Sequence, residues 1–463
     1  MLFNSYPFIL LFLPVALAGY FWLGRRSNLA PVIWLAAASL AFYAIGNWQF
    51  VALLLISIAF NYGIGHLLIV AKLAPSQRKA ALALGVAGDL LVLGIFKYAG
   101  FVTENINALA GTHFAVHILL PVGISFYTFT QIAFLVDAWR GQVAAYALPH
   151  YALFVTYFPH LIAGPILHHK DMIPQFEREE TKHPHAHLIL CGLIIFAIGL
   201  FKKTCLADGI QPLVALAFDA RAPSFDQAWL GALAYTFQLY FDFSGYSDMA
   251  IGISLMFGIF LPVNFNSPYK ATSIVEFWRR WHMTLSHFLR DYLYIPLGGN
   301  RRGRVLRYVN LMLTMLLGGL WHGAAWTFVI WGGLHGAYLV INHLWRRTGL
   351  RVPGPVGWAV TLAAVLVGWV FFRAPSIARA QVILSGMAGL NGLGWSALPY
   401  SIGGNRLALL LPALAIVLWA PNRQAIMTWR WRSDYAYAIA FAVLAGVSIL
   451  RFGNPSPFFY FLF

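Results

Sequence analysis

Asn310-Leu-Met-Leu-Thr-Met-Leu-Leu-Gly318-Gly-Leu-Trp-His322-Gly-Ala-Ala-Trp326 lies between two basic groups, Arg301 to Arg307 upstream and Arg346-Arg347 downstream. His322 is the only His, Lys, Arg, Asp or Glu between Arg307 and His335. A run this apolar belongs inside a bilayer, where an ionisable residue marks a functional site by default. Residues 311–344 as one straight helix would measure about 50 Å at ~1.5 Å per residue, against a bilayer core of about 30 Å. Basic residues at both ends place both ends on the cytoplasmic side. A two-limbed hairpin or a sharply broken helix satisfies length and charge together. The break is expected near Gly318-Gly319 to Gly323, where non-helical backbone costs least. His322 then sits at or near the apex, deep in the membrane. A long tilted helix is the alternative.

The rest of the chain reads the same way. Of 463 residues 60% are hydrophobic and 10% charged, and mean hydropathy is +0.70. Soluble domains run at about 45–50% apolar. Candidate spans fall roughly at 6–24, 30–47, 49–71, 81–97, 118–136, 187–201, 229–258, 309–344, 355–372, 406–420 and 434–450. They predict an all-α polytopic membrane protein with about 10–12 transmembrane helices, plus re-entrant and interfacial pieces. Residues 1–463 form a single integral-membrane domain in this reading. Residues 151–166, with two prolines and His160, are too short to cross and are expected to be re-entrant. The net charge of +16 collects in short loops: Arg25-Arg26, Lys72 to Lys79, Lys202-Lys203, Arg279 to Arg307, Arg346-Arg347 and Arg423 to Arg432. That is the positive-inside pattern, so the partner implied is membrane lipid and not nucleic acid. Met1 to Pro7 carries no positive charge and Arg25-Arg26 follows the apolar run, so 6–24 reads as an uncleaved first span with its N-terminus outside. Cys191 and Cys205 supply neither a disulfide framework nor metal spacing. Residues 167–187, rich in His, Asp and Glu, read as a solvated loop rather than a metal site, and no metal is expected.

Upstream of the opening stretch, Glu276 to Tyr292 interleaves Arg279, Arg280, Arg290 and Asp291 with Phe277, Trp278, Trp281, Leu285 and Phe288. Tryptophan with arginine favours the membrane–water interface. The pattern predicts an amphipathic in-plane helix over 276–292, ended by Pro296 and Gly298-Gly299; a plain surface anchor is the alternative. Asp242 and Asp248 are separated by about 240° on a helix at ~100° per residue, so they are no acid–base dyad. They are expected to bond neighbouring helices, with cavity lining beside Ser244 and Tyr246 as the second reading. Asp89 and Asp137 are read as structural in the same way.

Phe277-Trp-Arg-Arg-Trp-His282, Leu289-Arg-Asp-Tyr-Leu-Tyr-Ile-Pro-Leu-Gly-Gly-Asn300-Arg301 and Gly318-Gly-Leu-Trp-His322-Gly323 closely resemble the membrane-bound O-acyltransferase family, in its bacterial alginate O-acetyltransferase branch. So do Pro121-Val-Gly-Ile-Ser-Phe-Tyr127, Phe158-Pro-His-Leu-Ile-Ala-Gly-Pro165, Tyr240-Phe-Asp-Phe-Ser-Gly-Tyr-Ser-Asp248, Asn264-Phe-Asn-Ser-Pro-Tyr269 and the terminal Pro457-Phe-Phe-Tyr-Phe461. The resemblance implies spans and re-entrant helices around a central channel. It implies that an acyl group, acetyl in this branch, passes from a cytoplasmic thioester to an exopolysaccharide such as alginate, directly or through a periplasmic partner. It puts the essential histidine at His322 and the second at His282.

No bound cofactor is expected. Acetyl-CoA or another acyl thioester would be the donor substrate. Partners would be periplasmic or membrane-anchored polysaccharide acetylation proteins, the polysaccharide acceptor, and an acyl carrier protein as a possible donor. The location would be the bacterial inner membrane. Trp278, Trp281, Trp321, Tyr246 and Ser244 are candidate substrate or channel-lining residues, and Arg279 and Arg280 candidate donor-side charges. The chemistry stands on its own terms as well: a sugar hydroxyl needs a base as it attacks a thioester, and a neutral imidazole is such a base. Broken helices with buried polar groups are also found in transporters, so a glycan or lipid flippase is the alternative.

Overall fold

The computed structural model describes residues 1–394, 407–420, 435–451 and 458. The basic run Arg423 to Arg432 and, Phe458 apart, the terminal motif Pro457 to Phe461 lie outside the described residues, as do the first positions of the spans expected at 406–420 and 434–450. Every regular element described is helical. In chain order the α-helices are α1 Leu13–Gly24, α2 Ala30–Asn47, α3 Val51–Val70, α4 Pro75–Leu93, α5 Ala99–Ala110, α6 Ile124–Trp139, α7 Leu148–Thr156, α8 Phe158–Leu161, α9 His169–Glu177, α10 Ala186–Phe201, α11 Asp208–Phe218, α12 Phe225–Met256, α13 Ile274–Arg280, α14 Met283–Phe288, α15 Arg304–His322, α16 Trp326–Trp345, α17 Gly354–Arg373, α18 Ile377–Met387, α19 Leu410–Trp419 and α20 Tyr435–Leu450. Four stretches, Ala30–Val70, Pro75–Ala110, Ala186–Phe218 and Gly354–Arg373, are long and apolar enough to cross a bilayer. The chain is an all-α, multi-pass membrane protein.

Two compact units divide it. The first takes residues 1–199, 246–262 and 452–462; the second takes 200–245, 263–451 and Phe463. In the first, Phe3, Phe8, Phe42 and Phe158 form one buried aromatic cluster with ring centroids 4.9–6.5 Å apart. Offset and edge-on pairs of this kind contribute about 0.5–1.5 kcal/mol each beyond area burial. Two buried polar pairs lie in this unit: Asn61 Nδ2 donates to Asp89 at 2.7 Å, and His169 lies 3.3 Å from Asp137. Residues 151–166 break at Tyr157 between the two short helices α7 and α8, and the stretch is almost wholly buried. The expectation of a solvated loop at 167–187 fails in part. Met172, Ile173 and Phe176 on α9 are buried, and so are His169, Thr181 and Lys182, because the segment folds its apolar side inward.

The second unit corrects another reading. Lys202-Lys203 is not a cytoplasmic loop. A π-helical turn, Lys202–Ala207, joins α10 to α11, and Lys203 within it is fully buried. Its ammonium meets Asp242 at 2.7 Å and Asp208 at 3.0 Å. The opening stretch folds as a hairpin. α15 ends at His322, Gly323 to Ala325 turns in extended conformation, and α16 begins at Trp326. The limbs are antiparallel. A Cβ on Gly319 would overlap the Phe328 carbonyl oxygen, and one on Gly332 the Met315 carbonyl oxygen. Arg307 on one foot donates to His343 on the other at 3.0 Å. Small residues at such a seam let backbones approach, which is how helices adhere where lipid removes the hydrophobic drive.

Candidate active site

The in-plane helix expected over 276–292 is broken in its middle, and the break makes the site. α13 stops at Arg280, Trp281 is extended, and His282 adopts φ +42°, ψ +54°, in the left-handed region. α14 then runs from Met283 and continues as a π-helical turn over Leu289–Tyr294. The break is held from another segment. Asn264 accepts the Met283 amide on its backbone oxygen at 2.9 Å. Its side-chain Oδ1 accepts the Thr284 amide at 3.3 Å and the Thr284 hydroxyl at 3.0 Å, and stands 3.1 Å from His282 Nδ1. Two of the amides that α14 leaves unpaired at its start are thereby satisfied.

His322 comes to the same place from the hairpin. It is the last residue of α15, 6% exposed, and His282 is fully buried. Their ring centroids are 6.3 Å apart. A direct N–H···N bond between imidazoles needs centroids within about 5 Å, so the two rings, inclined at 60°, are neighbours without bonding each other directly. Aromatic walls surround them: Phe243 stands 4.8 Å from His282, and Trp321, Trp331 and Phe372 stand 4.9, 5.1 and 5.3 Å from His322. Behind Trp331, His335 is fully buried against Trp278 and Trp331, at 5.3 and 4.8 Å. Two groups able to carry a proton are thus set among aromatic side chains, largely out of contact with solvent.

The other expected residues scatter. Trp278 lies 5.8 Å from Trp331, and Trp281 is buried between Phe277 and Trp369, so both belong to this wall. Trp321 is buried beside His322. Ser244 is buried on α12. Tyr246 falls in the first unit, against Phe3 and Phe458 at 5.0 and 4.8 Å. Asp242, two positions before Ser244, serves Lys203 as the structural reading expects. Arg279 is exposed, whereas Arg280 is committed to Glu276 at 2.7 Å and to the Asn266 carbonyl. Sequence reasoning passed over Asn264, Phe243 and His335. The place of Asn264 at the head of the motif Asn264 to Tyr269 and the i, i+4 spacing of Trp331 and His335 were the available signals.

The profile of MBOAT, the membrane-bound O-acyltransferase family, matches residues 136–378, which include every residue of this wall. A peptidoglycan O-acetyltransferase of Helicobacter pylori is 45% identical over 427 residues, covering 85% of this chain and 81% of that one. The chain belongs to the membrane-bound O-acyltransferase family. It is an acyltransferase. A probable alginate O-acetylase of Pseudomonas aeruginosa is 48% identical over 387 residues, 81% of this chain and 73% of that one. A teichoic acid D-alanyltransferase of Streptococcus thermophilus is 29% identical over 242 residues, 49% and 57% of the two chains.

Proposed function

We propose that this acyltransferase acetylates hydroxyl groups of an extracytoplasmic polysaccharide, alginate-like or peptidoglycan, taking acetyl from a cytoplasmic thioester in the bacterial inner membrane. The observation that carries the reading is the buried pair His282 and His322, 6.3 Å between centroids. A hydroxyl oxygen entering between them can give its proton to His322 as its oxygen attacks the thioester carbonyl. The tetrahedral intermediate then collapses, the C–S bond breaks, and the imidazolium returns the proton to sulfur. Base catalysis of this kind contributes about 10²–10⁴-fold, and positioning supplies much of the rest. Arg301, Arg302 and Arg304 are exposed at the foot of α15, and Arg279 is exposed on α13. Their charge suits the phosphates of coenzyme A or the acidic face of a carrier protein. Names of relatives acting on peptidoglycan and alginate support a polysaccharide acceptor, reached directly or through a periplasmic acetylation partner.

His322→Ala is expected to remove alkali-labile acetate from whichever fraction, peptidoglycan or secreted polymer, carries it in the wild type. Immunoblots should find the protein in the membrane at near-normal level, and polymer export should continue. Acetate at the wild-type level in both fractions would overturn the assignment of His322. Polymer lost from the medium, with the variant still abundant, would point to transport instead.

A further inference from the structure

Asn264 is 1% exposed and gathers three donors on one oxygen. The Thr284 amide can only donate, so the atom it faces is the amide oxygen and not the nitrogen. The nitrogen of His282 that stands 3.1 Å from that oxygen must then carry its hydrogen. A neutral imidazole holds one N–H, so Nε2 of His282 is left as the lone-pair nitrogen. Left-handed backbone at His282 is strained, and the Asn264 contacts hold it there.

We infer that Asn264 is a positioning residue that fixes His282 in its Nδ1–H tautomer and so makes the second histidine a proton acceptor. The inference rests on the acyl transfer proposed above and divides its labour. While neutral, His282 cannot donate from Nε2 to the thioester carbonyl. It can accept the hydrogen of the incoming hydroxyl, which is released as the C–O bond forms and passed to sulfur as the C–S bond breaks. His282 is then a second acceptor beside His322 for that one proton, rather than a carbonyl donor.

The test uses full-length protein with ¹⁵N-labelled histidine in detergent, the His282 signals being identified by their loss in His282→Gln. Wild type should show Nδ1 protonated and Nε2 bare. Asn264→Asp keeps an acceptor oxygen and should keep that signature and measurable acetylation. Asn264→Leu should lose the signature and at least ~100-fold of acetylation in cells. Thr284→Val removes one of the three donors and should leave the tautomer unchanged. A wild-type spectrum with Nε2 protonated overturns the inference, even if Asn264→Leu fails to fold. So does an inserted Asn264→Leu protein with normal acetylation, when His322→Ala in the same cells is inactive. Normal acetylation in both Asn264→Leu and His322→Ala would instead sink the parent reading of the site.

Discussion

His282 and Ser267 are the two non-glycine residues with positive φ among those described, and they lie on the two segments that Asn264 ties together. Strain of this kind persists only where surrounding bonds over-determine it, and it gathers at functional sites. Lys203 is the contrasting case, a buried charge whose work is structural. With Asp242 and Asp208 it forms an ion triad, and removing one partner of such a group costs about 3–5 kcal/mol by stranding the others. Lys203→Met is therefore expected to lower the thermal stability and yield of the purified protein. Lys203→Met with Asp242→Leu should recover part of that loss, measured by thermal aggregation of detergent-purified protein; equal loss in single and double variants would refute the pairing. The burial of His322 at the head of a hairpin was legible in the sequence because it is alone in an apolar run between basic ends. Lys203 was not, because its partner Asp242 is 39 positions away and a charge flanking an apolar run looks the same whether solvated or paired.

At the scale of elements, length and charge in Arg307 to Arg346 required a hairpin, and the structure has one. The turn lies at Gly323 to Ala325, at the downstream edge of the stretch expected to break, so His322 ends a limb instead of lying within a loop. The break between α13 and α14 was not legible. Trp281-His282 is an ordinary helical dipeptide by propensity, and it opens only because Asn264, outside the segment, supplies the bonds that the helix gives up. On α13, burial pushes the Glu276 carboxyl up. The Thr272 amide and hydroxyl and the Arg280 guanidinium outweigh burial and hold it below its ordinary value. Its support of α13 is therefore present at neutral pH and fades as pH falls through that lowered value. The hairpin seam yields a paired prediction. Gly319→Leu must push the limbs apart against backbone and should reduce both acetylation and membrane abundance. Gly333→Ala would meet only the Leu316 side chain at 3.5 Å and should leave both unchanged. Equal outcomes for the two variants would show that the seam is not tight.

For the whole molecule the question is which way the hairpin stands in the membrane. Exposed Arg304 and Arg347 lie at its two feet, where Arg347 also stands over Tyr308 at 5.5 Å. Basic residues are retained on the cytoplasmic side. From Arg307 to His322, α15 rises about 22 Å at ~1.5 Å per residue, less than the ~30 Å of a bilayer core. An upright limb with its foot at the cytoplasmic surface would leave His322 within the hydrocarbon, past its middle. A thioester entering from the cytoplasm and a hydroxyl entering from outside could then meet at one point. Cys191 and Cys205 are buried, so single cysteines placed at 304 and 347 can be read with a membrane-impermeant maleimide. Both are expected to label in inverted vesicles and to resist label in intact spheroplasts, and Arg290→Cys, also exposed, should follow them. Labelling of 304 and 347 from opposite faces would mean that the stretch crosses the bilayer once, and the meeting point at His322 would be lost with it.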